Sequence, residues 1–194
     1  MKKILLIILF LSLAINTYSQ GKYMQTDKSA AIAGYSLINV DDVIVNAIGV
    51  GYTVERNIDF SLSYGFNDGF SSFSAGINYN LFKDKFMMVS PGLGIVHYSF
   101  TVGNKELILN GAFIGVDISG KIKMSDNFSI VPSLSIAEVF YDKVDFINKT
   151  NATSLSFNFA FVVNTNTDFY FGIEPGVVSS NDEAGIGVSF FIIF

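Results

Sequence analysis

From residue 184 to its last residue the chain reads Ala-Gly-Ile-Gly-Val-Ser-Phe-Phe-Ile-Ile-Phe. Ile186, Val188, Phe190, Ile192 and Phe194 share one face of an extended backbone, while Gly185, Gly187 and Ser189 share the other. A strict period of two suits a strand and no helix, because helix faces repeat about every 3.6 residues. This last stretch therefore has to sit in a sheet, and one of its faces is wholly apolar.

The same alternation recurs upstream in residues 29–39, 43–55, 58–66, 71–82, 87–102, 107–124, 128–141, 154–163 and 169–178, which predicts ten strands in all. In 58–66, Ile58, Phe60, Leu62, Tyr64 and Phe66 oppose Asp59, Ser61, Ser63 and Gly65. In 154–163, Leu155, Phe157, Phe159, Phe161 and Val163 oppose Ser154, Ser156, Asn158 and Ala160. Within 87–102 the apolar phase changes: Val89, Pro91, Leu93 and Ile95 give way to Val96, Tyr98 and Phe100, which predicts a bulge near Ile95.

Alternation alone also fits a soluble sandwich, so the second face decides. A sandwich exposes that face to water and fills it with charged and long polar side chains. Here it is Gly, Ser, Ala and Asn, which suit the crowded interior of a narrow barrel whose Phe, Ile and Leu face meets lipid. The predicted fold is an all-β, transmembrane, antiparallel up-and-down β-barrel of ten strands. Eight is the alternative, reached if the weak first strand stays outside and two later segments fuse.

Residues 1–19 have the three parts of a signal peptide: basic Lys2 and Lys3, an apolar stretch over 4–14, and Thr17-Tyr18-Ser19 as the small-x-small cleavage site. The barrel domain then covers 20–194. Losing Lys2 and Lys3 leaves ten basic residues against seventeen acidic ones, a surface that argues against nucleic acid as a partner. There is no cysteine, which excludes disulfides and a lipid-anchored cysteine. After the leader no apolar run reaches the length of about 20 residues that a spanning helix needs.

Short polar turns at 55–57, 83–85, 125–127 and 164–168 are flanked by Tyr52, Phe60, Phe82, Phe86, Phe128, Phe161 and Phe169, with Phe194 at the same level. That arrangement reads as an aromatic girdle on a periplasmic side, with both chain ends there. The terminal strand resembles that of Gram-negative outer-membrane β-barrels, and the whole pattern resembles the OmpA-transmembrane-domain-like, OmpX-like and OmpW-like families. The resemblance implies residence in the cell outer membrane after export, contact with outer-membrane lipids and lipopolysaccharide, and recognition of Phe190, Ile192 and Phe194 by the barrel-insertion machinery. A larger envelope assembly is left open.

Chemistry is sparse. With one histidine and no cysteine the chain lacks the residues of a transition-metal centre, and none of its glycines sits in a phosphate-binding loop, so no cofactor is expected. Asp59, Asp117, Lys121, Lys123 and Glu174 fall on the inward face. Charges removed from bulk water need partners, which predicts a lumen charge network in which Lys121 or Lys123 reaches a carboxylate, Asp117 or Glu174 first. At the outer mouth, closure brings Asp41 and Asp42 toward Asp182 and Glu183, oxygen ligands of the kind that hold Ca²⁺ or Mg²⁺. His97 and Ser99 share a strand face and resemble the His-x-Ser element of outer-membrane lipid A deacylases of the PagL type, which implies a lipid A-modifying hydrolase. The following Phe100-Thr101-Val102 departs from that family's Asn-Ala-Gly. The expected function is therefore a non-catalytic barrel of structural or interaction type, with a narrow pore for small solutes as the alternative.

Overall fold

The computed structural model describes residues 29–40, 43–55, 57–82, 86–102, 105–142, 151–165, 169–180 and 183–194. The signal peptide predicted over 1–19 lies outside the described residues. The strands are β1 (Ala30–Val40), β2 (Val43–Val54), β3 (Ile58–Asn67), β4 (Phe70–Tyr79, resuming at Leu81–Phe82) and β5 (Met87–Val102). They continue as β6 (Lys105–Gly120, resuming at Ile122–Lys123), β7 (Phe128–Tyr141), β8 (Asn151–Asn164), β9 (Tyr170–Ser180) and β10 (Glu183–Ile193). Each strand pairs antiparallel with its chain neighbours, and β1 also pairs with β10, so the sheet closes into a ten-stranded barrel. Both flanks of β1 are hydrogen-bonded, which decides for ten strands over eight.

Closure follows from the pattern. An open sheet of this composition would leave two rows of unpaired backbone groups, and in lipid no water would satisfy them. The closing ladder runs from Ile32 opposite Ile193 to Val40 opposite Gly185. It continues past the strand ends, where Ala31 N donates to Phe194 O (2.8 Å) and Phe194 N to Ala31 O (2.9 Å). At the opposite end, Asp68-Gly69 joins β3 to β4 as a two-residue hairpin, and Gly69 takes the positive φ of 80° that the turn demands.

The two faces separate as the alternation requires. Every strand sends large apolar side chains outward, Phe60, Leu62 and Tyr64 on β3 or Phe157 and Phe159 on β8 among them, and these are left exposed. A contiguous apolar wall of this extent is untenable in water and is what a lipid-facing barrel presents. At the turn end the girdle is in place: Phe128 stacks near Phe161 with centroids 6.5 Å apart, and Phe169 near Phe194 at 6.4 Å.

The bulge predicted near Ile95 is absent. The β4–β5 register runs without an extra residue from Phe70 opposite Phe100 to Asn78 opposite Gly92. The β5–β6 register is equally unbroken from Met87–Gly120 to Val102–Lys105. Leu93 and Ile95 point out while Val96, Tyr98 and Phe100 point in, so what changes is the environment and not the phase. Beyond Ile95 the outer wall carries His97, Ser99 and Thr101, and the interior turns apolar.

Candidate functional site in the lumen

The small inward residues predicted from the sequence do line the interior, and they are paired with one another. Ser36 and Ser189 hydroxyls meet at 2.7 Å across the β1–β10 seam, and Ser63 meets Ser74 at 2.6 Å across β3–β4. Ser90 Oγ donates to Asn80 Oδ1 (2.7 Å), Thr53 Oγ1 to Asp59 Oδ1 (2.5 Å) and Ser135 Oγ to Asp117 Oδ2 (2.5 Å). Hydroxyl donors on neighbouring strands are thus what make a buried carboxylate tolerable here.

Space in the lumen is tightly filled as well. Asn78 lies over Gly92 on the next strand and Asn158 over Gly176, each amide occupying the volume a Cβ would need. Toward the hairpin end, Val45, Phe70, Val96, Tyr98, Phe100, Leu109, Phe113 and Val139 form one apolar cluster from strands on opposite sides of the barrel. Toward the end where β1 begins and β10 finishes, a second cluster joins Ala30, Ile32, Val131, Ala160, Val162, Phe191 and Ile193. Between them the inward polar groups are sealed: Ser90 and Ser135 are each 1% exposed and Glu174 is 2% exposed.

The charged residues singled out in the sequence differ in their surroundings. Asp59 and Asp117 are buried on the hydroxyl donors just given, and Glu174 is buried on β9. Lys121 is partly buried. The Lys123 side chain is 61% exposed and pairs with Asp126 at 2.8 Å. The strand ends there, so its ammonium leaves the mouth and meets the turn carboxylate three residues on, not a partner across the lumen. Lys123 in turn holds the Asp126 carboxyl below the usual carboxylate range, through the hydrogen bond and through its charge.

Among the described residues no group of three or more His, Asp or Glu is arranged to hold a metal ion. Of the proposed cation ligands, Asp41, Asp42 and Asp182 lie outside the described residues, as does the side chain of Glu183. His97 and Ser99 both face outward, and each has another partner. His97 Nδ1 hydrogen-bonds Asn110 Oδ1 (2.8 Å), and Ser99 Oγ donates to Glu106 Oε1 (2.6 Å). The structure therefore does not bring these two together as base and nucleophile. Phe190, Ile192 and Phe194 form an exposed outward row on the closing strand. The alternation places Val162, Tyr170, Phe191 and Ile193 in the lumen, as found in the second cluster, but sequence reasoning missed the cluster toward the hairpins, although extending the inward parity of Ser90 along β5 leads directly to Val96, Tyr98 and Phe100.

Fold and lumen together define a class: the small, closed, up-and-down barrel of the outer-membrane type. The chain is similar to the translocator domain of the autotransporter NalP from Neisseria meningitidis (TM-score 0.53, 9% identity, 100% of this chain and 97% of that one). It is also similar to the β domain of the Bordetella autotransporter BrkA (TM-score 0.50, 9% identity, 85% and 96% covered). A KdgM porin superposes less closely (TM-score 0.46, 8% identity, 82% and 97% covered). No family model matches the chain, and no curated protein matches it in sequence.

Proposed function

We propose that this protein is an outer-membrane barrel of structural or interaction type whose lumen is closed at rest and whose outer hairpins form its working surface. The observation that carries this reading is the interior, where hydroxyls, amides and carboxylates pair across neighbouring strands and apolar clusters lie toward both ends. A diffusion pore needs a continuous wetted path, and inward groups 1–2% exposed do not provide one. On this reading the turn end faces the periplasm, the hairpin end faces outward, and the outward row ending in Phe194 is what the insertion machinery engages. The alternation that resembles OmpA-like, OmpX-like and OmpW-like barrels supports the same architecture. Conductance across a planar bilayer is the test. The refolded barrel should insert without steady current, whereas reproducible ohmic steps would replace this reading with that of a narrow pore.

A further inference from the structure

All three prolines of the chain lie within strands, and each interrupts one ladder of the closed sheet. The β5–β6 ladder runs unbroken through Pro91 opposite Val116, the β7–β8 ladder through Pro132 opposite Phe159, and the β9–β10 ladder through Pro175 opposite Val188. In an antiparallel sheet both hydrogen-bonding groups of a residue face one neighbour, so each proline turns its missing N–H toward the strand on its other flank. There the registers skip. The β4–β5 ladder stops at Asn78 opposite Gly92 and resumes at Leu81 opposite Val89, and the β6–β7 ladder stops at Ser119 opposite Ser133 and resumes at Ile122 opposite Ile130. Both of those gaps adjoin the short turns. The β8–β9 ladder skips in mid-strand instead, between Asn158 opposite Gly176 and Phe161 opposite Ile173. We propose that this gap is a lateral seam at which β8 and β9 part, joining the lumen to the hydrocarbon of the bilayer and admitting an apolar chain from it.

Three features favour parting at this level. Barrels persist in lipid because their backbone groups pair internally, and Pro175 offers the facing Phe159 carbonyl no N–H, so less hydrogen bonding is lost here than along an unbroken ladder. On the lumen side of the gap, Gly172 and Gly176 carry no Cβ, and the volume each Cβ would need is taken by the Phe191 ring and the Asn158 amide. Side chains can turn aside where a backbone-attached carbon cannot. On the outer side Phe159 is exposed and meets Phe157 edge-on, with centroids 4.7 Å apart. Swinging that ring into lipid exchanges one apolar neighbour for another, since lipid tails are as apolar as the side chains they replace. The seam leaves both end clusters in place, so it gives passage to apolar molecules and not to ions.

The test uses the full barrel in phospholipid nanodiscs. Amide relaxation dispersion, which reads exchange on the μs–ms scale, should appear at Phe159, Phe161 and Ile173 and not along the complete β1–β10 seam. Pro175→Val restores the N–H opposite Phe159 and should reduce that dispersion by about tenfold, the effect of one net hydrogen bond. Pro175→Ala restores the same N–H if Pro175→Val fails to refold. Because the chain has no cysteine, Ser156→Cys supplies a single thiol on the buried, lumen side of β8 beside the gap. A maleimide borne on a phospholipid acyl chain should label it, more slowly by about tenfold when Pro175→Val is added, whereas a small charged maleimide that cannot enter the bilayer should not. Dispersion equal at all seams or unchanged by the restored N–H would overturn the proposal. So would a thiol that the acyl-borne reagent leaves unlabelled, and labelling by the charged reagent would place the opening at a barrel end instead.

Discussion

The ring of Phe191 on β10 lies across the bare backbone of Gly172, its register partner on β9. A Cβ added to Gly172 would fall inside the contact distance of that ring and 2.8 Å from the Phe161 carbonyl oxygen on the other flank. Rotating the phenylalanine relieves only the first clash. Gly172→Ala should therefore destabilise the barrel by about 1–3 kcal/mol, the usual cost of overpacking. Gly120→Ala is the contrast, since its nearest neighbours lie at 3.5 and 3.9 Å, in ordinary contact. Urea unfolding of the two variants in one lipid should separate them, and equal midpoints would refute the packing argument.

Phe194 is both the last residue and the final rung of the closing seam. Its backbone exchanges two hydrogen bonds with Ala31, and its ring stacks near Phe169 at the girdle. Deleting it removes all three contacts at the one ladder that joins the first strand to the last. Assembly should fall, read as loss of the heat-modifiable band on a semi-native gel. Phe194→Leu retains the backbone bonds and should restore much of the folded band; if the deletion itself inserts normally, the terminal residue has no role in assembly.

Much of this fold was legible because lipid and a narrow lumen impose opposite demands on alternate residues. In 58–66 and 154–163 no position breaks the rule, and the structure places those faces as the alternation predicts. The rule failed at Ile95, where the strand leaves the apolar band. Above that level the wall bears His97 and Ser99, and the interior is filled by Tyr98 and Phe100, so apolarity changes faces while the register continues. Periodicity records a change of phase but not which side is inside, and a bulge and a change of environment look alike in one dimension. The lumen pairs were half legible. Asp117 was placed inward correctly, but its donor Ser135 comes from a neighbouring strand whose register no local pattern reveals.

The same aspartate frames a contrast between a buried and an exposed carboxylate. Asp117 is buried with Ser135 donating to it, so Ser135→Ala removes a hydrogen bond to a charged group and should cost about 1.5–3 kcal/mol. Asp126 sits in solvent beside Lys123, and Asp126→Asn should leave the unfolding midpoint unchanged within error at moderate salt. Because Lys123 lowers the folded Asp126 pKa, its small contribution is present above the ordinary carboxylate value and disappears as pH falls through the folded value. Urea titrations at neutral and acid pH would check both. A Ser135→Ala midpoint equal to wild type would show that the hydroxyl is not needed to keep that charge buried.

Two apolar clusters toward opposite ends make a stronger claim than one, since opening either alone should not open the channel. Tyr98→Ala with Phe100→Ala truncates the cluster toward the hairpins, and Phe191→Ala with Ile193→Ala truncates the one toward the termini. Each large truncation in a packed core costs several kcal/mol, about 3–5 for an aromatic, so refolding must first be verified by heat-modifiable migration. Each double variant that refolds should remain non-conducting in a planar bilayer, because the other cluster and the paired serines still fill the lumen. The quadruple variant, made in a barrel stabilised by lipid, should conduct. Its current should favour cations, because Asp59, Asp117 and Glu174 line the path it opens. Steady current from one double variant would place the seal at that end alone. A folded quadruple variant without current would move it to the hydroxyl and amide pairs between them.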